Sequence, residues 1–465
     1  MKIHYVVLPI IFLLTGCHHL TRSDYQRPLL SLPTHWPQTN PALQETQDVD
    51  WWQQFDDPRL TRVINQVLEC NSDLSVAAIT LQQARLAAGL TDTNLTPGVV
   101  ANGSASNSKH IHSGQVSQEN YNSNVAISYE LDLWGKLSRI REQSEWEAIA
   151  SAQDYDAVIL STISTAAQLY WSIALYNQQV RNQRESLSIA EQTLKQTESW
   201  FNSGKASQLD VLQSQQMLIN RQNQMRNLVQ QRESTRNALA LMLNRPAEQH
   251  TDEASYLDVN QSVAIREKPP LSVISRRPDI QAAESRLRAA LAGYDASRLS
   301  FYPSLSLNAS LNAGSQVFSQ WFNDPIRTIG GFLELPFVQF NTTLLMIKQS
   351  DLKVKQAAII FRRTAYLALS EVDNAMEKRL SADEQRARIK QSLILSQTRL
   401  RLTDSRYRAG AVDFQTLLNA QDDLLTLENT LAQTQYDYLY ATLQLWLAQG
   451  GGETQYRMMN YETEL

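Results

Sequence analysis

Residues 200–216 read WFNSGKASQLDVLQSQQ and residues 406–422 read RYRAGAVDFQTLLNAQD. Phe201 aligns with Tyr407, Gly204 with Gly410, Leu212 with Leu418 and Gln215 with Gln421, each pair 206 positions apart. The same offset joins Asp73-Leu74 to Asp279-Ile280, Pro97 to Pro303, and Asn102 and Ser104 to Asn308 and Ser310. A constant offset over so many landmarks means that one structural unit occurs twice. Two copies are too few for a solenoid, which needs roughly three or more. Gly135 aligns with Asn341. Both residue types tolerate left-handed backbone, so a sharp turn is expected at each.

Within each copy two periods alternate. Ser304–Ala313 reads SLSLNASLNA, with Leu305, Leu307, Ala309, Leu311 and Ala313 on one face. Asn124–Leu133 alternates in the same way through Val125, Ile127, Tyr129, Leu131 and Leu133. Ile329–Phe337 continues the habit, and Val99–Ser106 is a weaker case. These are four strands of about ten residues in two hairpins, long enough to cross a bilayer when tilted. A soluble half-buried sheet shows the same alternation. After each hairpin, Lys136–Ser203 and Thr342–Ala409 contain no Gly and no Pro over 68 residues. An uninterrupted helix of that length runs about 100 Å. Gly204 and Gly410 then permit a reversal, and a second helix follows, about Ser207–Leu243 and Asp413–Ala448. Antiparallel coiled-coil pairs are expected, with shorter helices, about Asp73–Leu95 and Asp279–Phe301, ahead of the strands.

Composition narrows the partners. Charged residues make up 19% and the net charge is −5, with no long basic run, which argues against nucleic acid. Lys2 is a short positive start, and Tyr5–Leu14 is apolar but too short to span a bilayer. The stretch ends in Leu14-Thr15-Gly16-Cys17, which looks like a bacterial lipobox with cleavage before Cys17 and acylation of it. The bland alternative is an ordinary signal peptide with a chance cysteine. His18 stands where an Asp would signal retention at the inner membrane, which favours the outer one. Cys70 then has no intrachain disulfide partner and is expected to pack as a small apolar residue. No later stretch has eighteen consecutive apolar residues, so any crossing is expected to be by β-strands. Four strands cannot close a barrel in lipid, because open edges leave backbone groups unsatisfied. Either the sheet is soluble or several chains share one barrel.

At this point the residues resemble a known family. WWQQFDDPRLTRVINQVLECNSDL (Trp51–Leu74), SYELDLWGKLSR (Ser128–Arg139) and RRPDIQAAE (Arg276–Glu284) are similar to signatures of the TolC-like outer membrane efflux proteins. DYQRP (Asp24–Pro28) after the lipobox fits its lipoprotein branch, which includes OprM, CusC and NodT. The resemblance runs from Cys17 to about Gly451. It implies an α+β fold: a trimeric 12-stranded transmembrane β-barrel, four strands per protomer, continued by a long periplasmic α-helical barrel. Two structural repeats build each protomer, which gives the trimer a pseudo-sixfold wall.

The resemblance also implies a passive exit duct that docks with a periplasmic adaptor and an inner-membrane pump. Gly204 and Gly410 become the adaptor-docking tips of the two hairpins. Gln415, Asn419 and Asp422, spaced 4 and 3 apart, share one helix face. By resemblance that face borders the pore at a periplasmic gate, and Asp210 matches an acidic gate position in the first repeat. A solvated outer face is the alternative for Asp422. Asp413 is a weaker gate candidate, since the helix dipole alone explains an acid there. Two departures stand out. Pro336-Phe337-Val338-Gln339-Phe340-Asn341-Thr342 lacks the family's usual Gly-Arg, and Asn419 and Asp422 replace its usual Asp and Arg.

The implied organisation is a signal peptide at 1–16 and an anchor with an extended segment at 17–56. A first repeat at 57–245 has strands at about 99–110 and 122–133 and a hairpin at 136–243. A linker covers 246–275. A second repeat at 276–451 has strands at about 303–314 and 327–337 and a hairpin at 342–448, and a polar tail covers 452–465. No Walker loop, HExxH or paired Cys/His cluster suggests catalysis, a cofactor or a metal. His110-Ile111-His112 reads as an exposed loop, and Met217, Met225 and Met242 read as packing. Three other readings stay open: a lipid-anchored coiled-coil scaffold without a pore, and the duct of a metal-efflux or a type I secretion system.

Overall fold

The structure, a computed structural model, describes residues 22–33, 36, 51–112, 116–249, 251–263 and 270–451. Cys17 and the tail from 452 lie outside them. The chain forms two compact units. One takes the N-terminal segment to Ser31, Ala78–Asp154 and Asp279–Thr364; the other takes Leu32–Ala77, Tyr155–Pro278 and everything from Ala365 on.

Helices α1 (Pro58–Cys70) and α2 (Ser72–Asp92) open the fold, followed by β1 (Gly98–Ser108), β2 (Gln118–Leu131), α3 (Lys136–Asn202) and α4 (Gln208–Met242). Then come α5 (Pro270–Arg276), α6 (Pro278–Leu299), β3 (Ser304–Ser315), β4 (Ile326–Glu334), α7 (Phe340–Arg408) and α8 (Phe414–Ala448). The Gly/Pro-free runs thus form single helices of 67 and 69 residues.

The strands of the first unit form one antiparallel sheet in the order β1-β2-β3-β4. The two hairpins are joined through β2 and β3, with Val125 opposite Leu311 and Leu131 opposite Leu305. β1 and β4 are its two open edges. At the strand-to-helix junction the Asp132 carboxylate accepts from the Leu137 and Ser138 amides at 2.9 Å each, satisfying free N–H groups at the start of α3. Trp134 Nε1 donates to the Pro303 carbonyl at 2.8 Å, and its ring stacks on Tyr302.

The second junction departs from expectation. Gly135 has φ +83, but Asn341 lies inside α7 and takes no left-handed turn. Pro336 starts a 3-10 turn, Pro336–Gln339, so the reversal happens upstream and the helix begins at Phe340. For the same reason β4 ends at Glu334 rather than 337, since proline has no N–H to continue the ladder.

The second unit carries an aromatic core. Trp51 stacks on Trp446 at 5.4 Å and Phe55 meets Trp171 at 4.8 Å. Asp57 caps α1 through the Arg59 and Leu60 amides and also accepts from the Tyr170 hydroxyl at 2.8 Å. Burial, then the Asp57 charge, pushes the Tyr170 phenol well up, so it stays a donor. α3 contains a stretch long and apolar enough to cross a membrane, but most of it is buried in the protein. Its Ile159, Ile163, Ala166 and Tyr170 are core residues. Cys70 does not pack as expected. The buried stripe of α1 is Leu60, Val63, Ile64, Val67 and Leu68, and Cys70 falls off it as an exposed free thiol.

Candidate functional site: the tips of the helical hairpins

Both hairpin turns lie in the second unit and are built alike. At the first, Lys205 N donates to Trp200 O at 2.8 Å, and Gly204 takes φ +75. At the second, Ala411 N donates to Arg406 O at 2.9 Å, and Gly410 takes φ +70. This six-to-one bond over a left-handed glycine is the Schellman stop, in which only glycine escapes the steric cost of its Cβ. A Cβ built on either glycine meets nothing within 4 Å, so both tips face open space within the chain.

The return helices begin with a reciprocal exchange. Ser207 caps α4, accepting from the Asp210 amide, while the Asp210 carboxylate accepts from the Ser207 amide at 2.8 Å. At the equivalent positions, Asp413 caps α8 by accepting from the Thr416 amide at 2.8 Å and from its hydroxyl. The acid sits at the third helical position in one repeat and at the cap in the other. Capping therefore accounts for Asp210 as fully as for Asp413. Thr416 holds the Asp413 carboxyl below its ordinary value of 3.8, through its side chain and then its backbone. The two tips are joined by rings: Trp200 lies 5.6 Å from Tyr407, which lies 5.5 Å from Phe414. Burial, then the Asp210 charge, raises the Tyr407 phenol.

Further along α8, Gln415 Nε2 donates to Asn419 Oδ1 at 2.8 Å, and both side chains are exposed, as is Asp422. The three lie exposed along one face of the helix. Asp422 is engaged differently from a bare ring of acids. Its carboxylate takes an ion pair from Arg221 of α4, whose side chain is only 7% exposed against 57% for Asp422. Arg221 Nη1 also donates to Gln224 Oε1 at 3.2 Å, and its carbonyl accepts from buried Gln183 of α3. A buried cation on the first hairpin thus holds the second. Arg399 of α7 pairs in turn with Asp423. Arg221 was not singled out from sequence: 206 positions on stands Leu427, so the repeat carries no trace of it.

His110 and His112 sit in an exposed turn beyond β1, and Met217, Met225 and Met242 are half-buried on or beside α4. Among the described residues no three His, Cys, Asp or Glu side chains gather at metal-binding distance. In the first unit the N-terminal segment is seated on helices. The Ser23 amide and hydroxyl donate to buried Asp295 at 2.9 and 2.6 Å, Arg22 pairs with Glu142, and Arg27 pairs with Glu284. Arg288 lies under the Tyr25 ring at 4.4 Å and beside Trp146 at 4.8 Å.

Residues 63–245 and 270–451 match the model of the family described as outer membrane efflux protein. The chain belongs to the outer membrane efflux protein family. This efflux protein is 28% identical to the pyoverdine export outer membrane protein OpmQ of Pseudomonas putida, over 97% of both chains. It is 26% identical to SilC of Salmonella typhimurium, a probable outer membrane lipoprotein, over 97% of this chain and 99% of that one. A solved structure of CusC superposes with a TM-score of 0.82 at 24% identity, covering 93% and 99% of the two chains. The fold class is accordingly that of the trimeric channels, with four strands per protomer for a shared 12-stranded barrel and a long helical barrel. The protein is an outer membrane channel of a tripartite efflux system. Members of the family are channels rather than enzymes.

Proposed function

We propose that the efflux protein passively exports small toxic compounds, that its hairpin tips dock a periplasmic adaptor fed by an inner-membrane pump, and that the Arg221–Asp422 pair holds the resting gate. The observation that carries this reading is the matched pair of glycine turns in open space, with the pair just behind them linking the two hairpins. An adaptor that bound both tips would pull on this link. Three protomers would give three Asp422 carboxylates, each partly neutralised by its own Arg221, so the ring favours cations less than three bare acids would. Gln415 and Asn419 add a neutral hydrogen-bonded step on the same face. Residues 57–245 and 276–451 would act as the two equivalent wall segments.

Cys17 would carry the acyl anchor. Arg22 lies five positions after it, a reach of at most about 17 Å, and the seat of residues 22–27 is fixed by the contacts on Asp295, Glu142 and Glu284. The test of the gate is single-channel recording on purified trimers. Asp422→Ala should raise the closed-state conductance, and Gly410→Trp should leave trimers intact while abolishing adaptor crosslinking and efflux. Wild-type conductance in the first, or normal crosslinking in the second, would place the gate or the dock elsewhere.

A further inference from the structure

The two faces of the sheet differ in chemistry, and the one basic residue of its strands stands on the apolar face. Val125, Ile127, Tyr129 and Leu131 of β2 lie opposite Leu311, Ala309, Leu307 and Leu305 of β3. On the same face, β4 sets Leu333, Gly331, Ile329 and Arg327 opposite those four β3 residues, in reverse order. A Cβ on Gly331 would meet Leu307 Cδ2 at 3.9 Å and Leu305 Cδ1 at 4.0 Å, which fixes this as the leucine side. The other face carries Asn124, Ser128 and Glu130 beside Asn312, Asn308 and Ser306. In a membrane barrel the apolar side meets lipid and the polar side lines the lumen. Arg327 is the only Lys or Arg in the four strands, and it stands on the lipid side.

Arg327 is exposed and has no ion pair or hydrogen bond to another described residue. A lone guanidinium is costly at mid-depth in hydrocarbon and close to free at the interface. It therefore has to sit where its long stem lifts the charge to the headgroups. A ring cluster marks that boundary four residues farther out, since Arg327 is level with Leu311 and Val125 and Tyr121 lies beyond them. Tyr121, on the same face of β2, packs on Phe318 at 5.4 Å and Trp321 at 5.3 Å, and Trp321 stacks on Phe322 at 5.2 Å. Phe318 and Phe322 are 65% and 67% exposed, as boundary aromatics are. The last three belong to the β3–β4 loop, which ends at β4 just before Arg327. The helices leave from the opposite strand ends, so this loop is on the outer side. The Glu119 carboxylate accepts from the Tyr121 hydroxyl at 3.1 Å, and neither it nor Asp324 of the loop pairs with Arg327.

We propose that Arg327, beneath the ring cluster of Tyr121, Phe318, Trp321 and Phe322, binds the phosphate of an outer-leaflet lipid, one site on each protomer. The planar guanidinium fork matches two phosphate oxygens at once, while the rings hold the apolar–polar boundary above it. Free phosphate in water would gain nothing from those rings, so the ligand is a lipid. The site belongs to the first unit and the gate to the second, so it stands whether or not the gate is as proposed.

Native mass spectrometry of the purified trimer tests it, with bisphosphorylated lipid A and the same lipid stripped of phosphate as probes. Wild type should bind up to three phosphorylated lipids per trimer, at least tenfold more tightly than the stripped form. Arg327→Ala should lose that preference, and Arg327→Lys, which keeps the charge without the fork, should keep part of it. Single-channel conductance should be unchanged in both variants, showing an intact barrel. Equal binding of the two lipids by wild type, or an undiminished preference in Arg327→Ala, overturns the proposal. If Arg327→Ala fails to form trimers, the wild-type preference and the Lys variant decide it.

Discussion

At the scale of single residues, the tips show how one carboxylate can answer two questions. Asp210 is half-buried, and its oxygens are taken by the Ser207 amide and hydroxyl. Losing one side of such a capping box costs about 0.5–2 kcal/mol. Asp210→Ala should therefore speed amide exchange across residues 207–212 while leaving ion selectivity near wild type. Asp422→Ala should do the reverse. It leaves the nearly buried Arg221 cation with only Gln224, at a cost of about 1–3 kcal/mol, moderated because Asp422 itself is half exposed. Conductance and amide exchange measured on both variants separate a cap from a gate. Asp413 adds a pH dependence. Its carboxyl titrates below its ordinary 3.8 in the folded chain. The cap is therefore fully present above that value, and is lost as pH falls through the lower folded value. Exchange at residues 414–417 should accelerate in that acid window in wild type, and Asp413→Asn should flatten the response.

At the scale of elements, each hairpin depends on one positive φ. Alanine at Gly204 or Gly410 meets no atoms, so its cost is the left-handed backbone alone, about 1–2 kcal/mol. Asparagine, which tolerates that region, should cost less. Gly451 behaves differently. It has φ +64, and a Cβ there would lie 2.7 Å from Leu160 Cδ2, the movable end of a half-buried side chain, so Gly451→Ala adds the shift of that side chain to the same backbone strain and should lower the melting temperature slightly more than Gly410→Ala. Melting curves of the three variants rank these effects.

These elements were legible because long Gly/Pro-free runs, alternation and the repeat offset are local or periodic signals. Asn341 misled because its glycine counterpart implied a turn that Pro336 had already made five residues earlier. Cys70 misled for a simpler reason, since its offset from the α1 stripe was readable but a lone cysteine suggests burial. Arg221–Asp422 was not readable at all, because it pairs residues 201 positions apart, outside the register of the duplication.

At the scale of the whole molecule, the chain is incomplete by construction of its sheet. β1 and β4 each present an unpaired edge, and in lipid such an edge is closed only by another strand. The partner strand comes from the next protomer of the family's trimer, so trimerisation is a hydrogen-bonding requirement before it is a packing preference. In an antiparallel strand, successive residues point their N–H groups to opposite neighbours. Of the adjacent pair Thr328 and Ile329 in β4, one N–H therefore serves β3 and the other serves the seam between protomers. Proline removes one donor at a time. Whichever of Thr328→Pro and Ile329→Pro removes the inward donor should impair folding of the sheet itself. The other should leave a folded chain that no longer gives a heat-modifiable trimer in detergent or conducts in a planar bilayer. Two variants with the same defect would mean that the β4 edge is not the seam.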